Sequence, residues 1–474
     1  MIILGTNSIK DTGYNVGNSL RFNKASSDYL NRSNSSSTGK IWTFSCWIKI
    51  SDADNGNMNI FNVSSDANNT TYVEVATKSG SGLEIQIRNG TSGDNGTYLK
   101  RTSNAVLRDI SAFYNVIIIF DSTNGTADDR LKIFLNGERI TSFASTAGVV
   151  PENCVTQIGV NNAAVEIGRN TSGAHYLDGY LAEVVLVDGT AQATTDFGEF
   201  DEDSNIWKPI DVSGLTFGTN GFYLDFEDSS ALGNDAAGSN NFTVNNLTAL
   251  DQSTDTCTNN YATGNPLDNG CGKAPTFSEG NLKYVSSSTF NFALPTIGVS
   301  SGKWYMEIKY VAVGSGGSIM AGITDQFDNT NRDLTGNAFA GGEPLGIGYY
   351  QNGNKYLNNV ASSYGSTYTT GDIIGVYLDV DNSKLYFAKN GTLQNSGTGL
   401  DLPSSANSTG VFFFMPSVDK ATIEVNYGNP TFTGTDKADA NGYGSFKYSP
   451  SAGTFDGASK DFYALNTKNL SEYG

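Results

Sequence analysis

The stretch Gly371 to Gly391, GDIIGVYLDVDNSKLYFAKNG, leaves its backbone little choice. After the turn at Gly371 and Asp372, Ile374, Val376, Leu378 and Val380 share one face of an extended segment, with Gly375, Tyr377 and Asp379 on the other. Successive side chains of a strand point to opposite faces, so this alternation predicts a half-buried strand. Asp381, Asn382 and Ser383 are turn residues whose short side chains bond their own backbone. Leu385 and Phe387 resume the alternation until Asn390-Gly391, a pair that tolerates positive φ. The spacing predicts a β-hairpin followed at once by a second tight turn. Val116 to Gly137, VIIIFDSTNGTADDRLKIFLNG, repeats the plan: apolar strand, polar turn opened by an aspartate, second strand, Asn-Gly. Two copies point to two all-β domains on related plans.

Composition agrees. The 474 residues suffice for two or three domains and include 54 Gly, 24 Tyr and 26 Phe but only 10 Pro, with no long periodic helical segment. Short strands joined by glycine- and asparagine-rich turns give all-β architecture. The net charge of −19, from 29 Lys and Arg against 48 Asp and Glu, argues against nucleic acid, which demands a basic footprint. It also predicts repulsion from anionic lipid. No apolar run approaches the roughly 20 residues of a spanning helix, so membrane insertion is not expected. The start, MIILGTNSIK, lacks the basic region and long apolar run of a secretory signal, which predicts synthesis in a cytoplasm. Cys46, Cys154, Cys257 and Cys271 have no zinc spacing. Cys46 reads as a small core residue, and Cys257 and Cys271, bracketing a turn-rich linker, either pair or stay thiols.

In order, residues 1–18 read as a polar leader with an apolar clip at Ile2-Ile3-Leu4. SLRFN is followed by the alternating strand Trp42 to Ile50, WTFSCWIKI; then come Leu83 to Arg88, Phe134 to Gly137, Ile167-Gly168-Arg169 and Asp178 to Val184. This series, over 19–205, resembles a laminin-G-like jelly roll of the concanavalin-A type. Residues 206–284 read as a connector with short strands. Within 196–282, Asp196 to Glu199, Trp207-Lys208-Pro209, Gly221 to Phe226, Leu232 to Asp235, Asn241 to Val244, Thr256 to Leu267 and Ser278 to Leu282 resemble a run found in virion proteins of tailed, particularly marine, phages. Over 285–430, Gly302-Lys303-Trp304-Tyr305-Met306-Glu307, the strand Met320 to Thr324, Leu345 to Tyr350, the 371–391 hairpin and Val411 to Ser417 resemble a SPRY domain. Residues 431–474 read as an extended tail. The fold expected is thus two tandem jelly-roll-type β-sandwiches.

The resemblances imply a phage virion structural protein, either a tail fibre, a tail appendage or a capsid-projecting subunit. Its partners would be other virion proteins, further copies of itself, and a host-surface glycan or protein. Two alternatives stand beside this reading: a purely architectural head or tail decoration protein, and a glycan depolymerase. For the depolymerase, two carboxylates must face each other across a cleft. The nearest approach is Asp225 and Glu227 at the end of a strand, and no catalytic residue is assigned. His175 is the only histidine, which excludes His-dependent triads and zinc clusters, and reads as a surface-loop residue. Calcium, usual in laminin-G-like loops, would find oxygens at Asp121, Asn124, Asp128 and Asp129, and a second set at Asp379, Asp381 and Asn382; solvated turns are the alternative. Sugar or protein recognition would use the aromatic loops around Tyr349, Tyr350, Asn352 and Tyr356 and around Tyr364 and Tyr368.

Overall fold

The structure is a computed structural model describing residues 13–474, apart from 53–55, 67–70, 79, 81, 89–97, 269–273 and 327–338. Both hairpins form. Tyr114–Asp121 pairs with Leu131–Leu135, and Ile373–Asp379 with Lys384–Lys389. The closing Asn-Gly pairs have φ of 49° and 79° at Asn136 and Gly137 and 49° and 77° at Asn390 and Gly391. Positive φ at both central residues is the type I′ turn, whose twist matches that of the flanking strands. In each copy the asparagine closes the hairpin's base with a pair of bonds. Asn115 N donates to Asn136 Oδ1 and Asn136 N to Asn115 O, each at 2.8 Å; Ile373 N donates to Asn390 Oδ1 and Asn390 N to Ile373 O, again at 2.8 Å.

The described chain divides into two compact units between Thr258 and Asn259. The first is a sandwich of two eight-stranded antiparallel sheets. One sheet centres on Ile41–Ile50, flanked by Tyr114–Asp121 and Gly179–Asp188. The other runs Phe143–Ala147, Tyr98–Val106, Gly82–Arg88, Tyr72–Thr77, Met58–Ser64, Ala164–Ile167, Tyr29–Ser33, Thr243–Asn245. Apolar side chains at alternate positions fill the space between them, with Phe44 stacked on Phe61 at 4.6 Å and Trp42 on Phe120 at 5.2 Å. Residues 206–258, expected as connector, complete this unit: Phe222–Leu224, Thr243–Asn245 and Gln252–Ser253 pair into its two sheets. Cys46 is fully buried as expected, and Cys257 is a buried thiol. Cys271 and the Ile2-Ile3-Leu4 clip lie outside the described residues.

The second unit is built on one strand, Lys303–Asp325, in place of the two separate strands expected. Its first half pairs with Ile373–Asp379 and its second with Gly346–Tyr350. The ladder to Ser417–Asn426 shifts register between Val313 and Ser318. Gly314, Gly316 and Gly317 occupy that bend, where a Cβ on Gly317 would lie 2.5 Å from Lys420 O. The glycines turn the strand without breaking it.

Ile373–Asp379 is buried on both faces, correcting the half-buried expectation. The reason lies in residues 431–474, expected as a tail. Phe446, Phe455 and Phe462 pack over Tyr305, Tyr377 and Tyr386 and form a second apolar layer outside the sheet. The first unit has the same layer: Phe197, Trp207, Val212 and Phe217 cover Trp47, Ile117, Tyr180 and Val185.

Candidate functional site

The first unit's second sheet carries a polar outer face. Val63, Val73, Val75, Ile85, Ile87, Val165 and Ile167 point into the core, so the residues alternating with them point away. Register then aligns Asn31, Glu166, Asn62, Glu74, Gln86 and Lys100 in one row across six strands. At roughly 4.8 Å per strand the row spans about 24 Å. Lys78 Nζ lies 3.3 Å from Glu74 and 3.1 Å from Glu84, and Lys100 Nζ lies 2.9 Å from Glu84. Burial works to raise the Glu84 carboxyl, but bonds from Thr102, Lys100 and Gln86 and the charge of Lys78 hold it below its ordinary value. Glu166 is raised by burial, even though Arg169 grips it bidentately at 2.6 and 3.1 Å. The Arg169 guanidinium lies 3.3 Å from the Tyr29 ring centroid, and half-exposed Tyr29 and Tyr176 meet edge to face at 6.4 Å. Near the row's centre the Asn59 amide is wholly buried and neither of its polar atoms has a partner among the described residues; nor has Asn62 Nδ2. Asn62 Oδ1 accepts from Thr171 N at 3.3 Å. The carboxylates Glu74, Glu84 and Glu166 and the amides of Asn59 and Asn62 are buried, so the half-exposed Asn31, Gln86, Lys100, Tyr29 and Tyr176 are what the face offers a hydroxyl-rich ligand: donors, acceptors and stacking faces.

The sequence reading missed this row. Its signal was present in Tyr72 to Ala76 (YVEVA) and Leu83 to Arg88 (LEIQIR), where polar and apolar residues alternate strictly.

The carboxylates singled out from sequence have other surroundings. Asp225 Oδ1 accepts from Glu227 N at 3.2 Å in a local turn, and Glu227 is exposed. Both bear on a buried acid the sequence did not reveal, Glu183, at a bulge of Gly179–Asp188 where its φ is 49°. Glu183 accepts bonds from Tyr223 Oη at 2.9 Å and Tyr14 Oη at 3.3 Å. Burial, with the charges of Asp225 and Glu227 added, pushes its carboxyl up to about 8.

In the loop expected to offer calcium ligands, Asp121 Oδ1 accepts from Thr123 N and Oγ1, Asn124 Oδ1 accepts from Thr126 N, and Asp129 pairs with Arg139 at 3.2 Å while Asp128 is exposed. In the second set Asp379 binds Asn382 and Lys460, and Asp381 binds Lys303 and Gly302 N. Among the described residues no group of three or more His, Cys, Asp or Glu is gathered to hold a metal ion. His175 is exposed in a left-handed conformation, φ 57°, and its ring meets Asn170 Nδ2 at 3.3 Å.

The six loop residues of the second unit separate into two sets. Tyr349 and Tyr368 are buried core residues, which corrects the exposed-loop expectation, and Tyr364 is half-buried beside them. Tyr349 sits 5.1 Å from Tyr368 and 5.4 Å from both Tyr364 and Phe387, centroid to centroid. Strand alternation is the cause, since Ile347 and Tyr349 face the core while Tyr350 faces away. Tyr350 and Tyr356 are half-exposed, with centroids 5.8 Å apart, and Asn352 is exposed. Tyr350 and Tyr356 border a small outer cluster around Met320 and Phe339.

With the geometry in view, comparison with known proteins is informative. Residues 24–195 match the family described as the concanavalin A-like lectin/glucanases superfamily, and residues 303–430 match the SPRY domain. An ATP-dependent RNA helicase, DDX1 of Xenopus laevis, is 31% identical over 29% of this chain and 17% of its own length. Ran-binding protein 9 of Homo sapiens is 31% identical over 20% of this chain and 12% of its own length. The chain thus spans less than a fifth of these relatives. Among solved structures, a human SPRY domain aligns with 30% of this chain and 87% of its own, at 19% identity and a TM-score of 0.24. A putative carbohydrate binding protein from Bacteroides ovatus aligns with 49% and 59%, at 14% identity and a TM-score of 0.31. The resemblances drawn from WTFSCWIKI and from GKWYME are borne out, and the chain carries a concanavalin A-like sandwich followed in sequence by a SPRY sandwich.

Proposed function

We propose that this chain is an attachment protein that binds a glycan on a host cell surface, as a tail-fibre, tail-appendage or capsid-projecting subunit of a tailed-phage particle. The observation that carries the binding reading is the polar row from Asn31 to Lys100 with its half-exposed tyrosine border. The virion setting rests on the resemblance of the segments within 196–282 to phage virion proteins. Concanavalin A-like and SPRY domains suggest binding or adhesion. The Ran-binding relatives are named for a protein partner, which makes a host protein the alternative ligand.

Hydrolysis is the second reading, but Glu84 and Glu166, whose carboxyls are shifted in opposite directions, stand three strands apart in the sheet, about 14 Å at roughly 4.8 Å per strand, beyond the roughly 5–9.5 Å of a glycosidase pair. We place binding first, since the bidentate Arg169 keeps Glu166 engaged as an ion pair and withholds a proton from any leaving group. The test is binding of the full chain to host cells with and without periodate oxidation of surface glycans. Binding lost on oxidation, and lost in the Tyr176→Ala variant, supports attachment through this face. Binding that survives oxidation points to the protein ligand. Release of reducing ends from host polysaccharide would establish the depolymerase, and no binding at all would leave particle architecture as the better account.

A further inference from the structure

We propose that a cleft on the second unit, lined by Lys303, Asp381, Lys460, Asp461, Tyr463 and Tyr473, binds a neutral sugar ring. The inference extends the attachment reading to a second site. Only Lys303 and Asp381 fall within the SPRY match at 303–430; the rest come from the segment folded over it, so the cleft belongs to this chain and not to the matched domain alone. Its volume is about 360 Å³, within the roughly 300–1,000 Å³ usual for ligand pockets.

The lining selects against charged ligands. Lys303 Nζ lies 2.9 Å from Asp381, and Lys460 Nζ is held at 2.8 Å both by the buried Asp379 and by Tyr386 Oη. Both ammonium groups are therefore already neutralised and fixed in place. With Asp461 exposed at the rim, the lining keeps no surplus positive charge to capture an anion. What it offers is donors and acceptors in fixed positions beside two tyrosines stacked at 4.0 Å and 9°. Fixed ammonium and carboxylate groups next to an aromatic pair match the alternating hydroxyl edge and apolar face of a pyranose.

Saturation-transfer NMR on the full chain tests this, with methyl glucoside and methyl galactoside as probes and inorganic phosphate as competitor. The expected result is transfer to a glycoside that phosphate does not displace, that Glu138→Gln, an exposed carboxylate on the first unit's other sheet, leaves intact, and that falls about tenfold in Asp461→Ala and Lys303→Ala. Both substituted side chains lie at the surface, so folding survives the change. Absence of transfer, transfer undiminished in both cleft variants, displacement by phosphate, or loss in Glu138→Gln would each overturn the assignment. If cell binding fails while this transfer holds, the attachment reading falls and the cleft stands; the reverse outcome removes the cleft alone.

Discussion

The two hairpins invite comparison because their plan is shared down to single atoms while their covers differ. In each, the glycine of the Asn-Gly turn is the seat of an aromatic ring brought from downstream: Trp207 on Gly137 and Tyr448 on Gly391, where a Cβ would lie 2.3 and 2.6 Å from the ring. In each, the cover also hides one glutamate against the outer face of the sheet. Glu307 receives four bonds, from Lys447 N, Tyr448 N, Asn426 Nδ2 and Tyr305 Oη, at 2.8 to 3.1 Å. Glu183 receives two, both from tyrosine hydroxyls. The difference teaches what a buried acid is for. One that gathers backbone amides ties its cover down, whereas one met only by hydroxyls becomes a cost once it is ionised.

Breaking the first of these ties has the largest expected effect. Glu307→Ala takes the acceptor from the Lys447 and Tyr448 amides and the Tyr305 hydroxyl, while Asn426 Nδ2 keeps only Ser445 O at 2.9 Å, and should cost roughly 3–5 kcal/mol in urea unfolding. A loss below 1 kcal/mol would show that the cover is held by its aromatics alone. Next, Trp207→Ala removes a buried ring whose Nε1 donates to Asn115 Oδ1 at 2.9 Å, and should cost about 3–5 kcal/mol. Tyr448→Ala removes a half-exposed ring from the corresponding seat and should cost roughly 1–2 kcal/mol. Equal losses would mean that the seats, not the burial of the rings, set the energy.

Glu183 sharpens the contrast through pH. Its folded carboxyl, near 8, holds a proton that the unfolded chain releases near 4.5. The stability it contributes is therefore full below 4.5 and lost as pH rises through 8, with a slope of up to about 1.4 kcal/mol per pH unit. Glu183→Gln should flatten that slope in urea midpoints taken across the window; an unchanged slope would place the titration elsewhere. The smallest effect is expected at the exposed pair Lys384–Asp401, 2.6 Å apart, where Lys384→Ala should leave the urea midpoint unchanged because solvent screens the pair; a clear drop would show that the pair holds its strand ends.

Much of this was legible in the sequence where the signal is local. Alternation and Asn-Gly placed both hairpins, and the strand Ile41–Ile50 followed from WTFSCWIKI. Tyr349 was misjudged because composition was read in place of alternation: in Ile347-Gly348-Tyr349-Tyr350 the period of two already sends one tyrosine inward and its neighbour outward. The polar row was only partly legible: the alternation in YVEVA and LEIQIR showed that those strands have a polar face, but not which strands share it. Glu166 faces Asn62 across a register joining strands about a hundred residues apart, and nothing in either strand alone states that pairing. The covers were missed because Phe446, Phe455 and Phe462 stand among glycine and aspartate with no regular period, so their burial is decided by the sheet they land on.

The aromatic seats also govern how such a chain can be cut and exchanged. A recombination event that transferred only the matched spans, 24–195 or 303–430, would separate Gly137 from Trp207 and Gly391 from Tyr448. Each transplanted sandwich would then display a bare apolar face and would stick to its neighbours. The transferable cassettes are the longer ones, running to Thr258 and from Asn259, in which every sheet travels with its own roof.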